Sequence, residues 1–130
     1  MMAQGNQKKW LERVFYDMDT AKAMLQTGRL IYAIIMCQQA LEKCLKALLA
    51  FHDKEIIPIH NLRRLAEVAS VVKELDEPTL MKLDFLSSYY INARYKEDIQ
   101  QLSKGINEHF VEDFIQFSQG LITWLFQKMK

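Results

Sequence analysis

The feature that most constrains the fold of this chain is one helical pattern over residues 31–52, IYAIIMCQQALEKCLKALLAFH. Apolar residues recur along it at alternating steps of four and three, which places them on one side of an α-helix. They are Ala33, Cys37, Ala40, Cys44 and Leu48. A polar set lies beside this stripe and consists of Gln38, Glu42, Lys43 and Lys46. The stripe predicts a helix that packs within a bundle.

Two helices of similar pattern flank this segment. The earlier one ends at Gly28, since glycine readily adopts the left-handed conformation that terminates helices. Its apolar stripe is formed by Trp10, Val14, Met18, Ala21 and Leu25. Pro58 prevents the second helix from continuing. A short third helix is then predicted from about residue 61 to residue 75, with Asn61 as its N-cap.

The last third of the chain carries two more helical patterns. The first begins at Asp76, an acidic cap, with Pro78 in its first turn. Its apolar stripe is Leu83, Leu86, Tyr90 and Ala93. The final helix starts near Asn107, and we expect its stripe to lie in the core or in a dimer interface. That stripe is Phe110, Phe114, Phe117, Leu121 and Trp124. The polar residues 94–106 are predicted as a loop with one helical turn.

These patterns together predict an all-α fold, an up-and-down helical bundle of four long helices plus one short helix. The chain has 130 residues, which is room for a single domain over residues 1–130. Only four glycines and two prolines occur, too few for a fold of strands and turns. The net charge of +1 is smaller than a strongly cationic nucleic-acid binder usually carries.

Several kinds of chemistry lack their sequence signatures. The glycines never cluster into a phosphate-binding loop, and neither C-x-x-C, H-E-x-x-H nor Glu-x-x-His occurs, so we expect no cofactor and no metal site. Cys37 and Cys44 lie seven residues apart on one helix, about 10 Å, too far for a disulfide within the chain. Two buried thiols, no secretory signal and no membrane-spanning segment predict a soluble, cytoplasmic protein without a membrane partner.

Three segments resemble motifs of the HEPN family of small helical-bundle proteins. Residues 40–47, ALEKCLKA, are similar to its A-x-E-K-x-x-K-A helix. Residues 58–62, PIHNL, resemble its P-x-H-x-L entry to the short helix, and residues 89–95, YYINARY, resemble its tyrosine-rich helix that ends in Arg-Tyr. The three occur in the expected order, and the resemblance covers nearly the whole chain.

The resemblance implies a bundle that often forms a homodimer. Many bacterial members are encoded beside a small nucleotidyltransferase, as one half of a two-component, toxin–antitoxin-like module. Other members are metal-independent ribonucleases with an Arg-x4–6-His motif. Here the residues five to seven positions after Arg94 are Ile99, Gln100 and Gln101, so the usual general acid–base histidine is missing.

The matched motifs supply the candidate residues for binding a nucleotide or a partner, with none assigned to catalysis. These are Glu42, Lys43, Lys46, His60, Tyr89, Arg94 and Tyr95. For the charged set on the second helix, the alternative is an exposed face with a Glu42–Lys46 salt bridge. His60 would otherwise bond the local backbone, and Arg94 would cap its helix. Tyr90 is expected in the core and Tyr89 toward a groove.

Three functions follow from these residues. The first is a non-catalytic binding module that partners a nucleotidyltransferase and contributes to nucleotide binding. The second is a metal-independent ribonuclease or toxin that acts on RNA, using Arg94 with His60 or His109. The third is a stand-alone nucleotide-binding module. The missing histidine favours binding over cleavage.

Overall fold

The computed structural model of this chain describes the backbone of residues 2–95 and 102–130 and the side chains of residues 7–93 and 102–130. The helices are α1 (Met2–Gln26), α2 (Leu30–Phe51), α3 (Leu62–Val68), α4 (Glu77–Tyr95) and α5 (Glu108–Gln127), with a 3-10 turn at Val72–Glu74. The described residues contain no strand. The predicted all-α helical fold is confirmed.

The central helix is α2, which packs against α1, α3, α4 and α5. Of its 22 residues, 14 are buried, and the run from Ala47 to Ala50 is buried without a break. A helix that is buried on all sides in this way lies inside a bundle rather than on its surface. All five residues of the predicted α2 stripe are inaccessible to solvent. They are Ala33, Cys37, Ala40, Cys44 and Leu48.

The predicted apolar stripes of α1 and α4 also face the core. Val14, Met18 and Ala21 of α1 are buried, and so are Leu83 and Leu86 of α4. Apolar residues at helical spacing therefore located the packed faces of these helices correctly.

The predicted stripe of α5 coincides only in part with the buried face of the helix. The buried face consists of Val111, Phe114, Ile115, Ser118, Ile122 and Leu125. Phe110, Phe117, Leu121 and Trp124 are only partly buried beside it. The large rings that recur every two turns lie mostly at the edge of this buried face, and smaller residues form most of it.

Three helices end through a residue with positive φ. Gly28 has φ 76°, Asp53 has φ 57° and Ser70 has φ 62°. In each case the next residue bonds back across the last turn, as Val71 N–H does to the Ala66 carbonyl at 3.0 Å. This is the Schellman termination. The prediction that the third helix reaches residue 75 was therefore wrong, because Ser70 stops α3 early.

The starts of α3, α4 and α5 were predicted correctly. Asn61 accepts a hydrogen bond from Arg64 N–H at 2.8 Å, Asp76 from Thr79 N–H at 2.9 Å, and Asn107 from Phe110 N–H at 2.8 Å. Side-chain oxygens at these positions satisfy backbone donors that the first helical turn leaves free. The predicted loop over 94–106 lies partly outside the described residues.

Both cysteines have buried free thiols. Burial raises the pKa of Cys37 to about 11, and it raises that of Cys44 further. Both thiols therefore stay protonated near neutral pH, as expected of small core residues. Over the described residues, no helix is long and apolar enough to cross a bilayer.

Candidate functional site

The polar residues beside the α2 stripe do not form the exposed face that one alternative predicted. Gln38, Glu42 and Lys46 follow one another at steps of four and so share a face of α2. All three are buried, with Glu42 only 4% and Lys46 only 6% exposed. The predicted salt bridge is present, with Lys46 Nζ 2.9 Å from Glu42 Oε2. Charges this deeply buried require partners within the chain.

Glu42 is the acceptor at the centre of this group. It accepts hydrogen bonds from Lys46 at 2.9 Å and from Gln38 Nε2 at 3.2 Å. Both of its oxygens lie 3.0 Å from Nδ1 of His60. We call Gln38, Glu42, Lys46 and His60 the Glu42 cluster. Its carboxylate is surrounded by donors, which offsets the cost of removing the charge from water.

The segment before α3 brings His60 to this cluster and is fixed by backbone contacts. Gln38 Nε2 donates to the His60 carbonyl at 3.0 Å. Asn61 caps α3 directly after it. Leu62 N–H donates to the buried Ser87 hydroxyl of α4 at 3.0 Å. Three helices thus hold the backbone around His60.

The imidazole of His60 has one nitrogen, Nδ1, held by Glu42 and a second, Nε2, that makes no hydrogen bond with a described residue. A carboxylate only accepts hydrogen bonds, so the Nδ1 that faces Glu42 carries a proton. In the neutral ring Nε2 is then the acceptor. The side chain is 49% exposed, although its Glu42 partner is only 6% exposed. Glu42 therefore sets both the tautomer and the direction of a half-exposed histidine.

Aromatic rings border the Glu42 cluster. The His60 and Tyr90 rings lie 5.8 Å apart, centre to centre. The Lys46 ammonium lies 5.9 Å from the centre of the Trp10 ring on α1. Gln38, Tyr90 and Trp10 were not among the predicted site residues. Gln38 lies one turn before Glu42 in the ALEKCLKA helix, and that spacing was the available signal.

Two of the predicted site residues have their contacts elsewhere. Lys43 forms an ion pair with Asp17 of α1 rather than with the segment that carries His60. Tyr89 stacks on Phe85, and its hydroxyl donates to the Leu102 carbonyl at 3.2 Å. Burial raises the pKa of Tyr89 to about 12. Tyr90, not Tyr89, is the tyrosine beside His60.

The side chains of Arg94 and Tyr95 lie outside the described residues. The backbone of both belongs to α4, and Arg94 comes one turn after Tyr90. Residues four apart lie on the same side of a helix. Arg94 is therefore placed on the side of α4 that carries Tyr90.

This arrangement presents one oriented acceptor nitrogen beside an aromatic ring. Such a site can accept a hydrogen bond from a ligand or a protein partner, and the protonated ring can donate one. Among the described residues, no group of three or more His, Cys, Asp or Glu is placed to hold a metal ion. Glu42 and His60 contact each other without a third such residue.

Comparisons with known proteins agree on one fold. A family model for the HEPN domain matches residues 7–129. The crystal structure of ST0689, an archaeal HEPN homologue, is 22% identical with a TM-score of 0.73, and the match covers 95% of this chain and 98% of that chain. The crystal structure of TT1696 from Thermus thermophilus is 19% identical with a TM-score of 0.75, covering 94% of this chain and 97% of that chain. No curated protein matches the sequence.

Proposed function

The chain belongs to the HEPN domain family, and from this membership we propose that it is a non-catalytic binding module that partners a nucleotidyltransferase. The two would form a two-component, toxin–antitoxin-like system. The Glu42 cluster is the proposed contact site, with His60 as its exposed member. A nucleotide held between the two proteins would meet the same histidine.

The observation that carries the proposal is the oriented, half-exposed His60. Its Nδ1 is engaged by a buried carboxylate, and its backbone is held by Gln38. A recognition group that is already fixed loses little conformational freedom on binding, which favours affinity. Lys46 and Glu42 neutralise each other beneath it and the neighbouring Tyr90 is buried, so the group offered to a partner is the imidazole.

The missing Arg-x4–6-His motif supports binding over cleavage. A general acid–base group contributes roughly a hundred- to ten-thousand-fold to a rate. His60 precedes Arg94 by 34 positions and occupies a different segment of the chain. The family's usual pairing of these two residue types within one short stretch is therefore absent from this sequence.

The proposal is tested by co-expressing the chain with the nucleotidyltransferase encoded beside it and measuring the affinity of the purified pair. We expect association at micromolar concentration or tighter. His60→Ala should weaken it about tenfold or more, because the oriented contact is lost. Circular dichroism would confirm that the variant remains helical.

His52→Ala is the matched control, because His52 is also an exposed histidine but lies outside the Glu42 cluster. It should bind the nucleotidyltransferase like the unmodified chain. If the two proteins do not associate at micromolar concentrations, the proposed partnership is wrong. If they associate and His60→Ala leaves their affinity unchanged, the Glu42 cluster is not the contact site.

A second candidate function is metal-independent cleavage of RNA, and the Glu42–His60 contact favours it. A buried carboxylate that bonds Nδ1 and leaves Nε2 outward orients a general base in many hydrolytic sites. Arg94, one turn after Tyr90, would stabilise the charged phosphorane. This function predicts EDTA-resistant cleavage of RNA that is lost in both His60→Ala and Arg94→Ala. A clean preparation without cleavage would exclude it.

The homodimer expected from the resemblance is also a proposal. Sedimentation velocity of the purified chain over a range of concentrations tests it directly. A single species at the mass of one chain would contradict it.

A further inference from the structure

A second surface, separate from the Glu42 cluster, lies between α5 and the beginning of α4. Two adjoining cavities of about 370 and 190 Å³ share Phe117 as a common wall. Their aromatic and aliphatic lining consists of Leu75, Phe110, Phe114, Phe117, Leu121 and Trp124. We call this surface the α4–α5 groove. Phe110, Phe117 and Trp124 are seven residues apart in turn, so the row extends about 21 Å along α5.

Gly120 gives this groove a gap that the isolated chain does not fill. It lies in the interior of α5 and lines the larger cavity. A glycine there costs about 0.5–1 kcal/mol relative to alanine. A Cβ added at Gly120 would meet no atom of the described chain within 4 Å. Packing within the described chain therefore gives no reason for the missing side chain, whereas close approach by another molecule does.

The charges around the groove favour a basic occupant. Its lining includes the acids Glu74, Asp76 and Asp113 and one base, Lys82. Glu74 is already paired with Lys128, whose Nζ lies 2.7 Å from its Oε1. Lys82 Nζ lies 5.0 Å from the centre of the Phe117 ring. Lys128 Nζ lies 4.5 Å from that of Trp124. The rings of the groove thus already attract ammonium groups, and the acids around them add to that attraction.

The same charges argue against a nucleic-acid strand. Aromatic rows can stack bases, but a phosphate backbone needs a positively charged groove to follow. Here three acids face two lysines, and one of these lysines, Lys128, is already paired with Glu74. We propose that the α4–α5 groove docks a basic, amphipathic α-helix of a protein partner.

The proposed helix would run along α5 for about 14 residues. Its apolar face, repeated at i, i+3/i+4 and i+7, would contact the ring row at intervals of two turns. One apolar side chain would fill the space above Gly120. Lysines or arginines on its flanks would meet Asp76 and Asp113. This docking does not depend on the function proposed for the Glu42 cluster.

The test uses a labelled synthetic helix of about 15 residues as the probe, with leucines along one face and lysines elsewhere. Fluorescence anisotropy measures its binding to the full chain at about 0.1 M salt. We expect a dissociation constant in the micromolar range. A peptide with glutamates in place of the lysines should bind about tenfold more weakly or worse.

Two variants of α5 test the location. Gly120→Gln fills the gap with a good helix former and should weaken binding of the leucine–lysine peptide about tenfold. Thr123→Gln adds the same side chain to an exposed position of α5 outside the groove and should leave the affinity unchanged. Asp113→Lys should weaken binding several-fold, and high salt should remove this difference.

Four results would overturn the proposal. The first is that the two peptides bind equally well, and the second is that Gly120→Gln binds the leucine–lysine peptide as tightly as the unmodified chain. The third is that the chain forms a dimer that Gly120→Gln dissociates. The fourth is that an oligouridine binds the chain and is displaced by the peptide. The third would assign the groove to a second copy of the chain, and the fourth to RNA. Thermal unfolding of each variant would show that the fold is intact.

Discussion

The Glu42 cluster and the α4–α5 groove differ in how far the chain satisfies its own side chains. In the cluster, a buried carboxylate meets Lys46, Gln38 and His60 within hydrogen-bond distance. In the groove, Phe117 and Trp124 remain partly open, and the space beside Gly120 is empty of described atoms. The first region is closed within the chain, and the second is open at its surface.

This difference separates two contributions to function. A closed network fixes one conformation, because each member loses a partner if another moves. The Glu42 cluster can therefore orient His60, but it exposes little surface area for contact with a partner. An open aromatic groove supplies contact area. We infer that the cluster orients one contact residue, whereas the groove offers its area to a separate partner.

The largest expected effect comes from opening the closed region. Glu42→Ala leaves Lys46 buried without its carboxylate, since the Lys46 side chain is only 8% exposed. Removing one partner of a buried ion pair costs about 3–5 kcal/mol. We expect a loss of this size in the free energy of unfolding, measured by urea denaturation at pH 7.

Two controls accompany this variant. Glu112→Ala removes a carboxylate from an exposed position of α5 and should change the stability by less than about 0.5 kcal/mol. The double variant Glu42→Leu with Lys46→Met leaves neither charge unpaired and should be more stable than Glu42→Ala. If Glu42→Ala lost less than about 1 kcal/mol, the cluster would be more open to water than its burial indicates.

The fold was largely predictable from the sequence because its helices follow simple periodic rules. The sequence predicts the stripe from Val14 to Ala21 and the caps Asn61, Asp76 and Asn107, and the structure contains all of them. The early end of α3 was missed. A serine rather than a glycine adopts the left-handed conformation there, and no local pattern distinguishes Ser70 from a residue that continues the helix.

The site was less predictable because its contacts join distant parts of the chain. Glu42 and Lys46 were identified from one helix, and their ion pair follows from spacing alone. Their burial does not, since it depends on how Trp10 of α1 and the segment carrying His60 pack over α2. Which of Tyr89 and Tyr90 lies beside His60 likewise depends on the rotation of α4 about its axis. Adjacent residues of a helix point in different directions, so an error of one residue selects the wrong tyrosine.

The two cysteine thiols of α2 provide a second test of whether water is excluded from the interior around this helix. The pKa of Cys37 is raised to about 11 from 9.0, and that of Cys44 is raised as well. Unfolded thiols release their protons near pH 9, while the native thiols keep theirs. Stability should therefore be unaffected below about pH 8 and fall as pH rises above about 9, by roughly 1.4 kcal/mol per pH unit for each thiol.

Urea denaturation at pH 8, 9 and 10 measures this slope. Cys44→Ala should flatten it, because one of the two raised pKa values is removed. In the native state at pH 8, both thiols should react with a thiol reagent far more slowly than in urea. Equal stability at pH 8 and pH 10 would mean that water reaches the thiols of the native chain.

The smallest expected effect comes from a substitution in the α4–α5 groove, and it increases the stability of the chain instead of lowering it. Gly120→Ala should raise the free energy of unfolding by about 0.5–1 kcal/mol, because alanine favours the helix interior and its methyl group meets no described atom. Gly28→Ala should lower it by about 1–2 kcal/mol, because φ there is 76°. Thermal unfolding of both variants measures the contrast. If Gly120→Ala stabilises the chain, the fold itself does not require glycine at this position. If it destabilises the chain, the fold does require glycine there, and the argument for a docked partner loses its support.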